Sequence, residues 1–176
     1  MAPRDDDDGF TRLYRSESAH VMNTLRRLGV RPSDLEDVAV DVFVAVHRRW
    51  AEYDPARPAR PWVRAFAVRA AADYRKSARV RREVAQELDV ELRDPAPAAD
   101  ERVADREKQR LVLEALDALA PERREVFVLH ELEGCAMPEV AAALEVPLNT
   151  AYSRLRLGRE EFAAAVRRIR AKGALT

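Results

Sequence analysis

One cysteine, Cys135, in 176 residues rules out an internal disulfide framework and any zinc site built from several thiolates. That usage suits the reducing cytosol. There are only 5 glycines and no glycine-rich loop of the kind that cradles phosphate. The three histidines, His20, His47 and His130, are scattered, and "HELEGC" lacks the second histidine of the HExxH zinc pattern. An enzyme built on these groups is therefore disfavoured, His130 in its apolar helix reads as structural, and neither a metal nor a cofactor is expected. Sustained alternation of apolar and polar residues is missing too, which argues against a sheet. No apolar run approaches the roughly 18 residues of a membrane span. The opening "MAPRDDDDGF" is acidic with no apolar segment behind it, so it is not a secretory signal. A cytoplasmic protein without a membrane span is expected, and "DDDD" reads as a solvated tail.

What is present is charge and helix-forming apolar residues. Hydrophobic residues make up 47% and charged residues 35%, enough for a core beneath a heavily charged surface. Lysine plus arginine equals aspartate plus glutamate, 31 against 31, but that balance is not local. From Arg57 to Arg82 there are nine basic residues and one acid, Asp73. From Pro147 to Thr176 there are seven basic residues and two acids. Between the two, Glu83 to Asp105 holds eight acids and two arginines, and includes "RDPAPAAD", whose prolines and alanines without apolar periodicity mark a linker. The pattern predicts an all-α chain: a disordered acidic N-terminus at 1–9, a small helical domain at 10–82, a flexible acidic linker at 83–104, and a second helical domain at 105–172.

Phe10, Leu13, Tyr14, Val21, Leu25 and Leu28 recur at mostly helical spacing up to Gly29, which suits the left-handed conformation after a helix. "SDLE" at 33–36 has the capping-box pattern and opens a second helix through Val38, Val42, Val46 and Trp50. "YDPARPARP" interrupts it, because each proline lacks an amide donor and restricts the residue before it. A third helix opens at Pro61 and runs to about Arg81, with Trp62, Phe66, Ala70 and Tyr74 as its apolar positions and arginines on other faces. In the second half, helices are expected from about 105 to 119, from Pro121 to before Gly134, from Pro138 through Leu144, and from an Asn149 N-cap to about Arg170.

The last two of these are separated by a short turn and share a small apolar centre, Val140, Leu144, Val146, Ala151 and Leu155, which is a helix-turn-helix pattern. If Ala151 and Leu155 face inward, Thr150, Ser153, Arg154, Arg156 and Arg159 lie around the outward faces of a helix whose N-terminal end can enter a major groove. Arginine's planar fork can meet guanine O6 and N7 together, and Asn, Ser and Thr can reach phosphates or base edges.

Residues 116–162, "LDALAPERREVFVLHELEGCAMPEVAAALEVPLNTAYSRLRLGREEF", resemble the C-terminal promoter-reading domain of bacterial RNA polymerase sigma factors, in particular the compact extracytoplasmic-function group. "DLEDVAVDVFVAVHRRW" resembles that family's polymerase-binding helix and "RPWVRAFAVRAAADYRK" its helix for the promoter −10 element. The resemblance implies a non-catalytic transcription initiation factor that binds core RNA polymerase, at its beta-prime clamp and beta flap, and directs it to promoter DNA. An anti-sigma factor is the further partner it implies.

On that reading Asp37, Val38, Asp41, Phe43 and Arg48 serve polymerase binding. Arg60, Trp62, Arg64, Arg69, Tyr74 and Arg75 serve the −10 region, while Asn149, Thr150, Tyr152, Ser153, Arg154, Arg156 and Arg159 serve the −35 element. The sequence departs from the family pattern at Val40, Arg69, Glu145, Leu157 and Gly158. Glu145 stands where a left-handed backbone favours glycine, and Gly158 is expected to loosen the last helix. The alternative is another helix-turn-helix DNA-binding regulator, such as a response-regulator output protein, but the alternating strands and helices of a phosphoacceptor domain are not visible.

Overall fold

The computed structural model describes the backbone of residues 4–87 and 103–173 and the side chains of residues 8–78 and 107–172. Among the described residues there are seven α-helices and no strand: α1 Arg4–Arg27, α2 Leu35–Arg48, α3 Ala59–Glu87, α4 Val103–Asp117, α5 Pro121–Phe127, α6 Met137–Ala143 and α7 Leu148–Gly173. The chain divides into two compact units, one holding α1 to α3 and the other α4 to α7. Most of the span assigned to the acidic linker lies outside the described residues. Its ends do not: α3 continues through Glu87, past the Arg81 stop expected from sequence, and α4 begins at Val103.

The disordered N-terminus expected at 1–9 is corrected for residues 4–9, because α1 already begins at Arg4; residues 1–3 lie outside the described residues. Aspartate is favoured in the first turns of a helix, where the macrodipole is positive, and "DDDD" occupies positions 5–8 there. At the other end of α1, Gly29 takes φ +96°, and the amides of Val30 and Gly29 bond the carbonyls of Leu25 and Arg26, each at 3.1 Å. This is the left-handed helix stop that the glycine announced.

The capping box at "SDLE" does not form. Pro32–Asp34 instead makes a 3₁₀ turn, α2 starts at Leu35, and Ser33 Oγ donates to Asp34 Oδ1 at 3.0 Å rather than capping a helix amide. Proline at the first position favours that tight turn, which displaces Ser33 from the cap position. Val21 and Leu25 of α1, Leu28 just after it, Val42 and Val46 of α2, and Val63, Ala67 and Ala71 of α3 form the core of this unit. The apolar face of α3 is therefore rotated from the one the aromatics suggested. Alanines at 67 and 71 let the helices approach closely, so the buried stripe follows Val63 rather than Trp62.

In the second unit Leu116 of α4, Val126 of α5, Val140 of α6, and Ala151, Leu155 and Ala165 of α7 are buried together with Leu129, and Phe127 stacks on Phe162 at 4.6 Å between centroids. The helix expected from Pro121 to Gly134 is regular only to Phe127; Val128–Leu132 widens into a π-helical turn, with Glu133 N bonding Val128 O at 3.0 Å. After α6 the amides of Val146 and Glu145 bond the carbonyls of Ala141 and Ala142. Glu145, at φ +54°, thus occupies the left-handed stop position that Gly29 fills after α1.

Candidate nucleic-acid and partner interfaces

α7 presents its surface as a consequence of packing on one side. Ala151, Leu155, Gly158 and Ala165 recur at helical spacing and face inward. With 3.6 residues per turn, Asn149, Ser153, Arg156 and Glu160 then share the opposite, exposed face, and Tyr152 and Arg159 flank it. Thr150 and Arg154 lie on the other flank and are half-buried. Asn149 is not the N-cap expected from sequence: the helix begins one residue earlier, Ala151 N bonds Pro147 O at 3.1 Å, and Asn149 sits in the first turn with its side chain at the surface. Pro147 cannot donate and so is well suited to the start, leaving Asn149 for the exterior. Ser153 Oγ donates to the carbonyl of Asn149 at 2.9 Å.

α7 runs unbroken through Gly158. Its missing side chain is where α5 passes: a Cβ there would lie 3.3 Å from the carbonyl oxygen of Arg123 and 3.7 Å from Phe127 Cβ. The glycine permits a close crossing that sets the height of α7 over α5. Glu161 adds to the same junction by pairing with Arg123 and accepting from the amide of Ala120, at the start of α5.

The three arginines of the outward faces differ in what they already touch. Arg156 Nη1 pairs with Glu160 Oε1 at 2.8 Å, one turn along the same helix. Arg159 holds Glu131 Oε1 with Nε at 2.8 Å and Nη2 at 2.6 Å, and Glu131 belongs to the π-helical turn. Arg154 makes no ion pair among the described residues. Sequence reasoning missed Glu131 and Glu160. The i,i+4 spacing of Arg156 and Glu160 was a legible signal; the Arg159 partner depends on the π turn and had none.

In the first unit the candidate −10 residues do not form one face. Arg60 and Arg75 are tied to the α1 side of α3: Arg60, though exposed, bonds Glu17 Oε2 of α1 through Nε at 3.1 Å, Glu17 being buried, and Arg75 Nη1 donates to the carbonyl of Leu28 at 2.7 Å. A guanidinium suits that carbonyl because it lies just past the C-terminal end of α1, where the macrodipole is negative. Arg64 is half-buried on the same side, while Arg69 is exposed.

Trp62 sits among Trp50, Tyr53 and Phe66, with centroids 6.3, 5.0 and 5.1 Å away. The turn between α2 and α3 is held by this cluster and by Asp54 Oδ1, which accepts from Ala56 N at 2.9 Å. Tyr74 donates its hydroxyl to Asp34 Oδ2 at 2.5 Å. Burial, and then that hydrogen bond, raise the phenol above its ordinary pKa.

α2 carries the candidate partner surface. Val38 and Phe43 are buried and hold the helix from beneath. Asp37, Val40, Asp41, Val44 and Arg48 are exposed at i, i+3, i+4, i+7 and i+11, a stripe of acid and apolar residues closed by a cation. Val40 and Val44, at 57% and 43% exposure, are unusual for valine and were not singled out as a pair from sequence. Asp37 and Asp41 also line an open groove of about 700 Å³ with Arg69, Asp73 and Tyr74 of α3.

His130 Nδ1 lies 2.9 Å from the carbonyl of Cys135, a contact that closes the π-helical turn. Among the described residues no group of three or more His, Cys, Asp or Glu side chains is placed to hold a metal, and no helix is long and apolar enough to cross a membrane.

Comparison with known proteins covers both units. Residues 13–81 match the Sigma-70 region 2 family, and residues 109–162 match Sigma-70, region 4. The RNA polymerase sigma factor NccH of Alcaligenes xylosoxydans xylosoxydans is 26% identical over 166 residues, spanning 93% of this chain and 89% of its own. The ECF RNA polymerase sigma factor SigK of Mycolicibacterium vanbaalenii is 30% identical over 156 residues, spanning 87% of this chain and 79% of its own. Among solved structures, CnrH in complex with the cytosolic domain of CnrY is similar at a TM-score of 0.62 and 25% identity, covering 90% of this chain and 87% of that one. The sigma factor RpoE in complex with the anti-sigma factor NepR from Bartonella quintana shares the fold at a TM-score of 0.73 and 15% identity, covering 90% of this chain and 97% of that one.

Proposed function

The chain belongs to the extracytoplasmic-function group of the sigma-70 family and is a transcription initiation factor that directs core RNA polymerase to promoters; from that premise we propose how its surfaces divide the work. Region 2, at 10–82, docks on the polymerase clamp and meets the −10 element. Region 4, at 105–172, meets the −35 element and the beta flap. The observation that carries this is the outward face of α7, which sets Asn149, Ser153 and Arg156 in a row within the matched region 4 segment, with half-buried Arg154 on one flank and in no ion pair among the described residues. Polar side chains at the start of such a helix read base edges, and cations further along hold phosphate.

On α2 the exposed stripe suits a partner that is basic with an apolar centre: Asp37 and Asp41 give charge complementarity, and Val40 and Val44 give buried area. In region 2 the structure favours a division among the candidate residues. Arg60 and Arg75 hold α3 in place, and Arg69, exposed on the other side of α3, is the candidate of this set for contact with DNA. The protein contributes no catalysis of its own and works in the cytoplasm. Solved relatives are held by the cytosolic domain of CnrY and by NepR, and an anti-sigma partner of this chain would cover the same surfaces that polymerase needs.

In vitro transcription with core polymerase and genomic DNA tests the reading. Start sites that appear only when this protein is added are the expected result. If the protein changes no start site and is not retained by core polymerase, the assignment fails.

A further inference from the structure

Two of the cations on α7 are already engaged by carboxylates. Arg159 points two of its N–H groups at one oxygen of Glu131, at 2.8 and 2.6 Å, and Arg156 meets Glu160 at 2.8 Å. A carboxylate and a phosphate present the same kind of acceptor to a guanidinium fork. These contacts are not buried braces: the side chains of Arg159 and Glu131 are 56% and 32% exposed, and those of Arg156 and Glu160 are 66% and 60% exposed. Their origins differ. Glu160 comes from α7 itself, whereas Glu131 is brought from another element by the π-helical turn, which widens the end of α5 and shifts the angular position of the residues after it.

Resting on the reading of α7 as the DNA-facing helix, we propose that Glu131 and Glu160 are internal competitors of DNA phosphate for Arg159 and Arg156, and that they attenuate the intrinsic DNA affinity of this unit. Exposed ion pairs of this kind are weak enough to be exchanged, so the carboxylates act as a tax on binding rather than a lock. When Arg159 moves to a phosphate, the cation released from DNA is partly offset by one drawn to the abandoned carboxylate, so the pair lowers both the affinity and its salt dependence. The free protein is thereby discouraged from random DNA. Held at a promoter by polymerase, where the effective concentration is high, it can meet the cost.

The test uses the full chain and a random-sequence duplex of about 20 base pairs, the scale of a site longer than one recognition helix needs, with fluorescence anisotropy over a salt series. Glu131→Gln and Glu160→Gln should each tighten binding by up to about fivefold at low salt, and each should steepen the slope of log K against log salt by up to about 0.9. Glu122→Gln, which removes an exposed acid at the start of α5 with no α7 arginine attached, controls for the general field and should leave the slope unchanged. The effect of Glu131→Gln should vanish in an Arg159→Ala background, and that of Glu160→Gln in an Arg156→Ala background. Thermal melts of each variant should match the parent, since all these side chains lie at the surface.

The proposal is overturned if the two variants behave as Glu122→Gln does, or if their effects survive loss of the paired arginine. Arg154→Ala separates the two failures. If it weakens binding while the glutamine variants change nothing, the competition is wrong and the DNA-facing role of α7 stands. If no variant binds the duplex, the competition is also overturned, and the transcription assay decides the role of α7 on its own.

Discussion

The two units use arginine in opposite ways. In region 2, Arg60, itself 54% exposed, and Arg75 satisfy a buried carboxylate and the carbonyl of Leu28 just after α1, so their charge is spent on holding α3 against α1. In region 4, Arg156 and Arg159 point outward and rest on acids at the surface, and the position of their helix is set by a small residue, Gly158, at the crossing with α5. Both segments read as cationic when residues are counted. Only packing distinguishes a cation that braces the fold from one that a phosphate can claim.

The largest expected effect tests that contrast directly. Arg60→Ala leaves Glu17, whose side chain is only 9% exposed, without its guanidinium, and should destabilise region 2 by about 2 kcal/mol. Arg159→Ala should cost region 4 no more than about 0.5 kcal/mol, as expected for a surface substitution. Both tryptophans, Trp50 and Trp62, lie in region 2, so their fluorescence follows that unit alone during urea unfolding, while helical circular dichroism follows both. Equal costs for the two substitutions would erase the distinction.

Next in size is Gly158→Val. A Cβ at 3.3 Å from the Arg123 carbonyl must push α5 and α7 apart, and overpacking of this sort costs about 2 kcal/mol. The loss should appear in the circular dichroism and leave the tryptophan transition where it was. A shift of the tryptophan transition by the same amount would mean that the crossing does not belong to region 4 alone.

Glu145 shows how far the sequence could be read and where it stopped. The helix-turn-helix, its apolar centre and even the left-handed turn were legible, because stops such as Gly29 have a local chemical signature and Glu145 breaks it. Replacing Glu145 with Gly should therefore stabilise region 4 by about 1 kcal/mol, read as a higher urea midpoint in circular dichroism; no gain would show that the turn is not strained.

Other features had no local signature. The rotation of α3 could not be inferred from its aromatics, since Trp62 is drawn to Trp50 and Tyr53 across a turn while two alanines form the close-packed stripe. Arg60 finds Glu17 over a separation of 43 residues, and Glu131 reaches Arg159 only because the backbone widens into a π turn. The face of the HTH helix followed from a single helix's periodicity. The partners of the arginines required the tertiary fold.

The smallest effect concerns Tyr74, one of the residues that sequence reasoning offered to DNA and the structure ties to Asp34. Tyr74→Phe removes that hydrogen bond, but Asp34 still accepts from Ser33, so the cost at pH 8 should be about 0.5 kcal/mol. Its pH dependence is more telling. Burial first, and the bond to Asp34 second, raise the phenol in the folded state above its ordinary value near 10.0, so the folded chain holds this proton more tightly than the unfolded chain. Such a group contributes stability in full below pH 10 and loses it as the pH rises through the folded value. The tryptophan-monitored urea midpoint of the parent should fall more between pH 9 and pH 11 than that of Tyr74→Phe, narrowing the gap between them. A gap that stays constant over that range would mean that Tyr74 is not protected by the fold, and would return it to the set of side chains free to meet a base.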